Sequence, residues 1–254
     1  MTTKTLSTAE AMRYSRQILL SGFDLEKQEL LINSSVLMIG AGGLGCAAAQ
    51  YLVAAGIGKL TLVDDDTVEN TNLQRQVLHF EDDIGAKKVD SALATLSQIN
   101  HYTELVGIDK RLSETELEPL VDTHNLVVDC TDNLQSRNTL NDLCYRNNTP
   151  LVSGAAIRME GQIFCVIPTL NSACYRCVSH YFGEQNLSCV ESGVMSPVVG
   201  IIGASQANEA IKILTQFGQA PINCLQIFDA AQSQWDSVRV NALKTCPTCA
   251  NPHE

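Results

Sequence analysis

The chain of 254 residues is 45% hydrophobic and 18% charged, as expected of a globular protein with a substantial core. Its formal net charge of -11 argues against a nucleic-acid partner, because binding to DNA or RNA relies mainly on clustered cations. The N-terminus lacks the apolar core of a secretory signal, and no stretch of about 18 apolar residues could span a membrane, so we predict a cytoplasmic protein.

The N-terminal stretch is predicted to be helical. Ser7 with Glu10 three residues later fits a capping box, and Gly22 is a stop signal, so one helix is predicted from Thr8 to Ser21. A second helix is predicted from Leu25 to Ile32. These helices precede the first predicted strand, and they could cover the rest of the protein or reach a neighbouring subunit.

The next segment has the pattern of a nucleotide-binding unit. An apolar run from Val36 to Ile39 leads into a glycine-rich loop, an Ala-rich helix that ends at Gly56, and a second apolar run that ends on Asp64. Glycines permit the tight turn and the close approach of a phosphate, the helix start supplies N–H groups, and the Asp64 carboxylate can accept ribose hydroxyls. The glycines of this loop are Gly40, Gly42 and Gly45.

The loop after this unit favours a triphosphate over a nicotinamide ring. Asn72, Gln74, Arg75 and Gln76 place polar donors and one fixed cation in a single loop, and arginine presents a rigid donor fork that suits phosphate. The glycine loop and Asp64 alone fit an NAD-dependent oxidoreductase equally well, so that class stays open at this point.

Two lysines lie in the first turn of the helix predicted from Ile84 to Ile99. Lys87 and Lys88 oppose the helix dipole there, because the N-terminal end of a helix prefers anions. A solvated pair and a phosphate ligand are both compatible with this spacing.

Strands and helices then alternate, which is typical of a parallel sheet. A strand is predicted from Thr103 to Ile108, a helix from Glu114 to Val121, and a strand from Leu126 to Asp129. Ligands bind beyond the carboxyl ends of such strands, so Asp132 is expected to face the same crevice as Asp64. A helix cap at Asp132 or Asn133 is the alternative, and both roles can hold.

The remaining elements include one stretch with little periodicity. Ser179 to Met195 is predicted to be a long loop that contains Cys189, and a mobile-loop cysteine could be a nucleophile or sulfur carrier, although no base is tied to it. The helices are predicted from Leu134 to Asn147 and from Ser196 to the stop at Gly218, and the strands at Leu151 to Ala155, Gly161 to Ile167, Cys224 to Phe228 and Trp235 to Val240.

Four of the ten cysteines form two CxxC pairs. Four thiolates with this spacing suit a closed, tetrahedral zinc site that ties the C-terminal tail to the body of the protein. The alternative is that one or both pairs are incidental in a Cys-rich chain. The pairs are Cys174 with Cys177 and Cys246 with Cys249.

Several longer motifs occur together and in order. They are RYSRQILL from Arg13 to Leu20, GAGGLG from Gly40 to Gly45, VDDDTV, NLQRQ from Asn72 to Gln76, DCTDN from Asp129 to Asn133, SGAAIRMEGQ, and the two CxxC pairs. With these motifs the chain resembles the MoeB/ThiF family, prokaryotic relatives of the ubiquitin-activating enzymes, over nearly its whole length. SGAAIRMEGQ is more similar to the molybdopterin branch of the family, and the tail around SQWDS to the thiamine branch.

The resemblance implies an adenylyltransferase that uses ATP and magnesium to adenylylate the C-terminal glycine of a small ubiquitin-like sulfur carrier ending in Gly-Gly. It favours the molybdenum cofactor pathway, with a thiamine-pathway carrier as the alternative and an NAD-dependent oxidoreductase as a remote one. A homodimer is implied, and a sulfurtransferase is a possible further partner.

The implied fold is a Rossmann-like α/β fold: a largely parallel sheet continued by antiparallel strands, with helices on both faces and a structural zinc clamp. One domain is expected over residues 1–254. It comprises a helical arm (1–33), a nucleotide-binding core (34–155) and a carrier-binding, zinc-clamped part (156–254).

The resemblance also assigns roles to positions that match the family motifs. Gly43 and its loop would hold the phosphates and Asp64 the ribose. Arg16 would reach the active site of the partner subunit, and Cys189 matches the conjugating cysteine of thiamine-type members. The triphosphate and magnesium contacts would come from Asn72, Arg75, Lys88 and Asp132, with Thr71, Leu73, Gln74 and Asn133 completing the nucleotide site. Arg16, Arg75, Lys88 and Asp132 are the implied catalytic residues.

Overall fold

The computed structural model describes residues 4–182 and 193–250. One eight-stranded sheet runs through this part of the chain. Its strands are β1 (Ser35–Ile39), β2 (Lys59–Val63), β3 (Glu104–Ile108), β4 (Leu126–Asp129), β5 (Leu151–Ile157), β6 (Glu160–Val166), β7 (Cys224–Asp229) and β8 (Gln234–Arg239). The strand order is β3-β2-β1-β4-β5-β6-β7-β8, with β1 to β5 parallel and β6 to β8 antiparallel.

Helices cover both faces of this sheet, so the predicted fold class is confirmed. They are α1 (Thr8–Arg13), α2 (Ser15–Ile18), α3 (Asp24–Ile32), α4 (Gly43–Ala55), α5 (Lys88–Ile99), α6 (Glu114–Thr123), α7 (Leu134–Arg146), α8 (Tyr175–Phe182) and α9 (Ser196–Thr215). Apolar residues of α3, α4, α5 and α9 form the core on one face, and those of α6, α7 and α8 form the core on the other.

The central strand shows why both faces must be covered. Val36 and Met38 of β1 belong to one core and Leu37 to the other, and all three are fully buried. Alternate side chains point to opposite faces of a strand, so a continuous apolar run is stable only between two helical layers.

The C-terminal helix α9 is packed tightly against the nucleotide-binding unit. A Cβ at Gly203 would lie 2.3 Å from the Leu44 carbonyl oxygen of α4, so glycine permits this close approach. The buried Gln206 side chain donates to the Asp129 carbonyl at 2.8 Å. These contacts hold α9 across the carboxyl end of β4.

The N-terminal prediction was right about the cap and wrong about the helix length. Ser7 and Glu10 form the predicted capping box. The helix then breaks at Tyr14 into α1 and α2, because this buried ring packs over Gly56 and its hydroxyl accepts a hydrogen bond from Asn100 at 2.8 Å. Contacts with distant segments therefore override the local helical pattern.

Two further boundaries differ from the prediction by four residues, and others by one to three. Helix α5 begins at Lys88 rather than Ile84, because Lys87 has an extended backbone and forms a β-bridge with Thr67. Residues 179–182 of the predicted loop belong to helix α8. Within the described residues, the helices are too short or too polar to cross a bilayer.

Candidate nucleotide-binding cleft and cysteine cluster

A cleft of about 810 Å³ lies at the carboxyl ends of β1, β2 and β4. This is the position that parallel α/β sheets offer to ligands. The structure brings most of the predicted site residues together in its lining: Gly40, Gly42, Gly43, Asp64, Asn72, Arg75, Lys88, Asp132 and Asn133.

The glycine loop has the conformation that its sequence predicts. Gly40 has φ +102°, which other residues rarely adopt, and α4 begins directly after Gly42. Gly45 does not line the cleft. A Cβ there would lie 1.9 Å from the Gly40 carbonyl oxygen, so this glycine allows the loop to pack on its own helix. The first N–H groups of α4 are thus presented at the cleft, as anion binding requires.

Asp64 fixes the shape of this loop. Its carboxylate accepts the Ala41 N–H at 2.6 Å through one oxygen and the Asp66 N–H at 2.9 Å through the other. Each carboxylate oxygen has a further lone pair, so both can still accept a ribose hydroxyl. The residue can therefore hold the loop and a nucleotide at once.

The two neighbouring lysines have different environments. The Lys88 side chain is only 8% exposed, lines the cleft, and donates to the Asp66 carboxylate at 2.8 Å. Lys87 is absent from the lining and pairs with Asp109 at 3.2 Å. The sequence left open whether these lysines are solvated or bind a ligand. Lys87 is the solvated one, whereas Lys88 lines the cleft, where a ligand could contact it.

Further cations lie in the cleft that the sequence interpretation missed. They are Lys110, Arg111 and Arg137, in addition to Arg75 and Lys88. Lys110 and Arg111 lie two and three residues after the end of β3, so the rule that ligands bind at the carboxyl ends of strands could have identified them. Nothing in its own sequence segment marked Arg137, which donates to the Thr131 carbonyl at 2.7 Å from the first turn of α7.

The two predicted roles at the end of β4 belong to different residues. Asn133 caps α7, because its side chain accepts the Ser136 N–H at 2.9 Å. Asp132 is exposed and lines the cleft. The side-chain amide of Asn133 donates to its carboxylate at 3.4 Å. The carboxylate of Asp132 is thus placed where a phosphate-bound cation could contact it.

Three predicted residues of the Arg75 loop do not line the cleft. Thr71, Leu73 and Gln74 lie in the same loop as Arg75 but are not part of the lining, and Arg75 donates to the Thr71 carbonyl at 3.1 Å. Cys189 lies outside the described residues, and its role stays a prediction.

Arg16 is exposed on α2, at the opposite end of α4 from the glycine loop. The neighbouring Gln17 donates to the Ala55 carbonyl at 3.0 Å, in the last residue of that helix. The 13 residues of α4 span about 20 Å, so Arg16 is not brought to the cleft of its own chain. A role in the partner subunit stays a prediction.

The two CxxC pairs meet in space. The Sγ atoms of Cys174 and Cys246 are 3.5 Å apart, those of Cys177 and Cys249 are 3.4 Å apart, and all four lie within 4.8 Å of one another. A disulfide needs sulfurs about 2.05 Å apart, whereas four sulfurs about 2.3 Å from a central zinc would be about 3.8 Å apart. The cluster therefore fits a closed zinc site and not disulfides.

The surroundings of the cluster would oppose charged thiolates without a metal. Burial, with the neighbouring Cys177 and Cys246, raises the pKa of the Cys174 thiol to about 12. A zinc ion would supply the positive charge that four thiolates need. Among residues 4–182 and 193–250, this is the one group of three or more His, Cys, Asp or Glu residues with suitable metal-ligand geometry.

The cluster also joins the C-terminal tail to α7. The Tyr175 N–H donates to the Asn141 side chain at 2.7 Å, and the Thr248 hydroxyl donates to Asp142 at 2.5 Å. Helix α7 begins beside Asp132, so the clamp supports the same helix that starts at the cleft.

The strand order, the glycine loop at a helix start and the cation-lined cleft define a nucleotide-binding α/β protein. Residues 14–248 match the ThiF family, and the chain belongs to this family. The resemblance inferred from the sequence motifs is thereby confirmed.

The individual comparisons agree with the family. The molybdopterin-synthase adenylyltransferase of Salmonella typhimurium is 48% identical over 244 residues, which are 96% of this chain and 98% of that protein. The sulfur carrier protein ThiS adenylyltransferase of Escherichia coli is 41% identical over 244 residues, covering 96% and 97%. A crystal structure of E. coli MccB with ATP has a TM-score of 0.82 at 25% identity, covering 93% of this chain and 74% of that chain.

Proposed function

We propose that the protein is an ATP-dependent adenylyltransferase that activates the C-terminal glycine of a small ubiquitin-like sulfur carrier for molybdenum cofactor biosynthesis. The observation that carries this proposal is the cation-lined cleft beside the glycine loop, in a chain 48% identical to a molybdopterin-synthase adenylyltransferase over 98% of that protein. The lower identity of 41% to the ThiS adenylyltransferase makes a thiamine-type carrier the second candidate.

The chemistry explains the composition of the cleft. A C-terminal carboxylate has a pKa of about 3.3 to 3.7, so it is already ionised near pH 7 and needs no general base. It would attack the α-phosphorus of ATP, form a new P–O bond, and expel pyrophosphate as the α–β bond breaks. An anion must therefore approach a polyanion, and the surrounding cations lower this electrostatic barrier. The cations of the lining are Arg75, Lys88, Lys110, Arg111 and Arg137.

Two metals have separate proposed roles. Magnesium usually binds phosphates together with one or two carboxylates, and the exposed Asp132 offers one at the cleft. When bound, it would neutralise charge on the triphosphate. Zinc would be bound by the four cysteines, and it would stabilise the fold without taking part in the reaction.

ATP-pyrophosphate exchange tests the function directly. Purified protein would be assayed with a molybdopterin-type carrier that ends in Gly-Gly and, separately, with a thiamine-type carrier. We expect exchange stimulated by the first. Exchange with only the second carrier would assign the protein to the thiamine pathway instead. The absence of exchange with both carriers, in folded and zinc-loaded protein, would refute the adenylyltransferase proposal.

We also propose that the protein acts as a homodimer in which Arg16 completes the partner's site. The exposed apolar side chains of the helical arm support this proposal, including Met12 at 74% and Leu19 at 75% exposed. Tyr51 of α4 is also exposed, at 57%.

A complementation experiment tests both Arg16 and Asp132. Arg16→Ala and Asp132→Ala proteins are each expected to be nearly inactive in exchange. After the two are unfolded, mixed and refolded, random pairing leaves one intact site in half of the dimers, so roughly 25% of wild-type activity should return. If Arg16 acted within its own chain, the mixture would stay inactive. An Asp122→Ala protein, changed at an exposed carboxylate away from the cleft, is the control and should be fully active.

A further inference from the structure

A buried histidine joins three segments that build the cleft. His79 ends the loop that carries Arg75, and its Nε2 lies 3.2 Å from the Ala41 carbonyl oxygen in the glycine loop. Its Nδ1 lies 2.7 Å from the Ser91 hydroxyl of α5, one turn after Lys88. His79, Ser91 and Ala41 are all at least 95% buried. One imidazole thus bridges the glycine loop and the helix that presents Lys88.

The hydrogen-bond partners of the ring place a proton on Nε2. The Ala41 carbonyl can only accept, so Nε2 must carry the proton that bonds to it. The Ser91 hydroxyl donates to the Asp83 carboxylate at 2.8 Å, and its oxygen lies 2.7 Å from Nδ1. Asp83 also accepts the Phe80 N–H at 2.8 Å, so this side of the ring is held to a fixed group of hydrogen bonds. The loop-facing nitrogen is therefore a donor.

This donor is the main partner of the Ala41 carbonyl. The Cys46 thiol also approaches that oxygen at 3.3 Å, but a thiol is a weak donor. On its other side, the Ala41 N–H bonds to Asp64. The peptide groups at the turn are thus held from both directions, by the carboxylate expected to bind ribose and by His79.

We propose that His79 is a positioning residue for ATP binding: its Nε2–H holds the Ala41 carbonyl and sets the glycine loop at the correct distance from Arg75 and Lys88. The proposal rests on the proposed function. His79 is absent from the cleft lining, so it acts through the loop and not by touching ATP.

Two substitutions separate this role from a general packing role. The amide nitrogen of Gln is as many bonds from Cβ as Nε2 of His, and that of Asn as many as Nδ1. His79→Gln therefore keeps a donor for Ala41, whereas His79→Asn keeps only the contact with Ser91. Ser91→Ala is the matched control, because it removes the contact between Nδ1 and the Ser91 hydroxyl and leaves the hydrogen bond from Nε2 to the Ala41 carbonyl.

The measurement is ATP affinity by calorimetry, with thermal unfolding in parallel. We expect the Gln and Ser91→Ala proteins to bind ATP within about threefold of wild type, and the Asn protein about tenfold more weakly, because it leaves a buried carbonyl without its main donor. Equal affinities for the Gln and Asn proteins, at equal stability, would overturn the proposal. Failure of the wild-type protein to bind ATP would instead refute the proposed function.

If the Asn protein does not fold, nitrogen NMR of the wild-type imidazole decides. A ring protonated on Nε2, whose Nε2 signal shifts when ATP is added, supports the positioning role. A ring with no proton on Nε2, or an Nε2 signal unchanged by saturating ATP, overturns it.

Discussion

A Lys88→Met protein is expected to lose adenylylation activity by about two to three orders of magnitude while remaining folded. Lys88 is the most enclosed cation of the cleft, and a charge in a water-poor site stabilises a triphosphate more than an exposed charge does. Methionine preserves the volume of the buried stem, and the Asp66 carboxylate left behind is 66% exposed and stays solvated. The loss would be measured as kcat/KM for ATP in the exchange assay.

The adjacent lysine supplies the control. Lys87→Met removes the same charge one residue earlier, but Lys87 pairs with Asp109 outside the cleft. An exposed ion pair contributes little, so activity should stay within about twofold of wild type. Similar losses in both proteins would mean that net charge matters and not the position of Lys88, and would remove Lys88 from the proposed site.

The second large effect is expected at the cysteine cluster. Cys177→Ser should abolish stoichiometric zinc binding and lower the midpoint of thermal unfolding by about 10 °C or more, since structural zinc sites contribute several kcal/mol to folding. The cluster holds the C-terminal tail against α7, so its loss frees the tail. Metal analysis and calorimetry of the purified protein measure the two changes.

Cys224→Ser is the matched control, because this half-buried thiol lies outside the four-sulfur group. It should keep one zinc and change the unfolding midpoint by only a few degrees. Mild chelation of the wild-type protein should reproduce the Cys177→Ser result. Native protein that contains no zinc, or a Cys177→Ser protein as stable as wild type, would contradict the assignment.

Local sequence was sufficient for most of the elements and for the type of site. The predicted strand from Leu126 to Asp129 agrees with the structure at both ends, and the capping box of Ser7 and Glu10 is present. The glycine spacing predicted a loop that only glycine can form at Gly40, and the CxxC pairs predicted a cluster although the pairs are about 70 residues apart. Each of these signals depends on neighbours in the chain or on a fixed ligand chemistry.

Other features were decided only when distant segments met. Sequence could not choose between Lys87 and Lys88, because the choice depends on a β-bridge with Thr67 and on Asp66 and Asp109 from separate strand ends. Sequence could not separate the roles of Asn133 and Asp132 either. Only the structure shows that Asn133 caps α7 and that Asp132 places its carboxylate in the cleft.

The cations missed by the sequence interpretation and the role of His79 have a common cause. Arg137 reaches the cleft from α7, and His79 connects two loops whose residues 41 and 79 are remote in the chain. Their spacing carries no periodicity, because their positions follow from how the helical layers pack on the sheet. The sequence alone therefore determined the family, the fold class and the glycine loop, whereas the tertiary structure decided which charges line the cleft and what holds them in place.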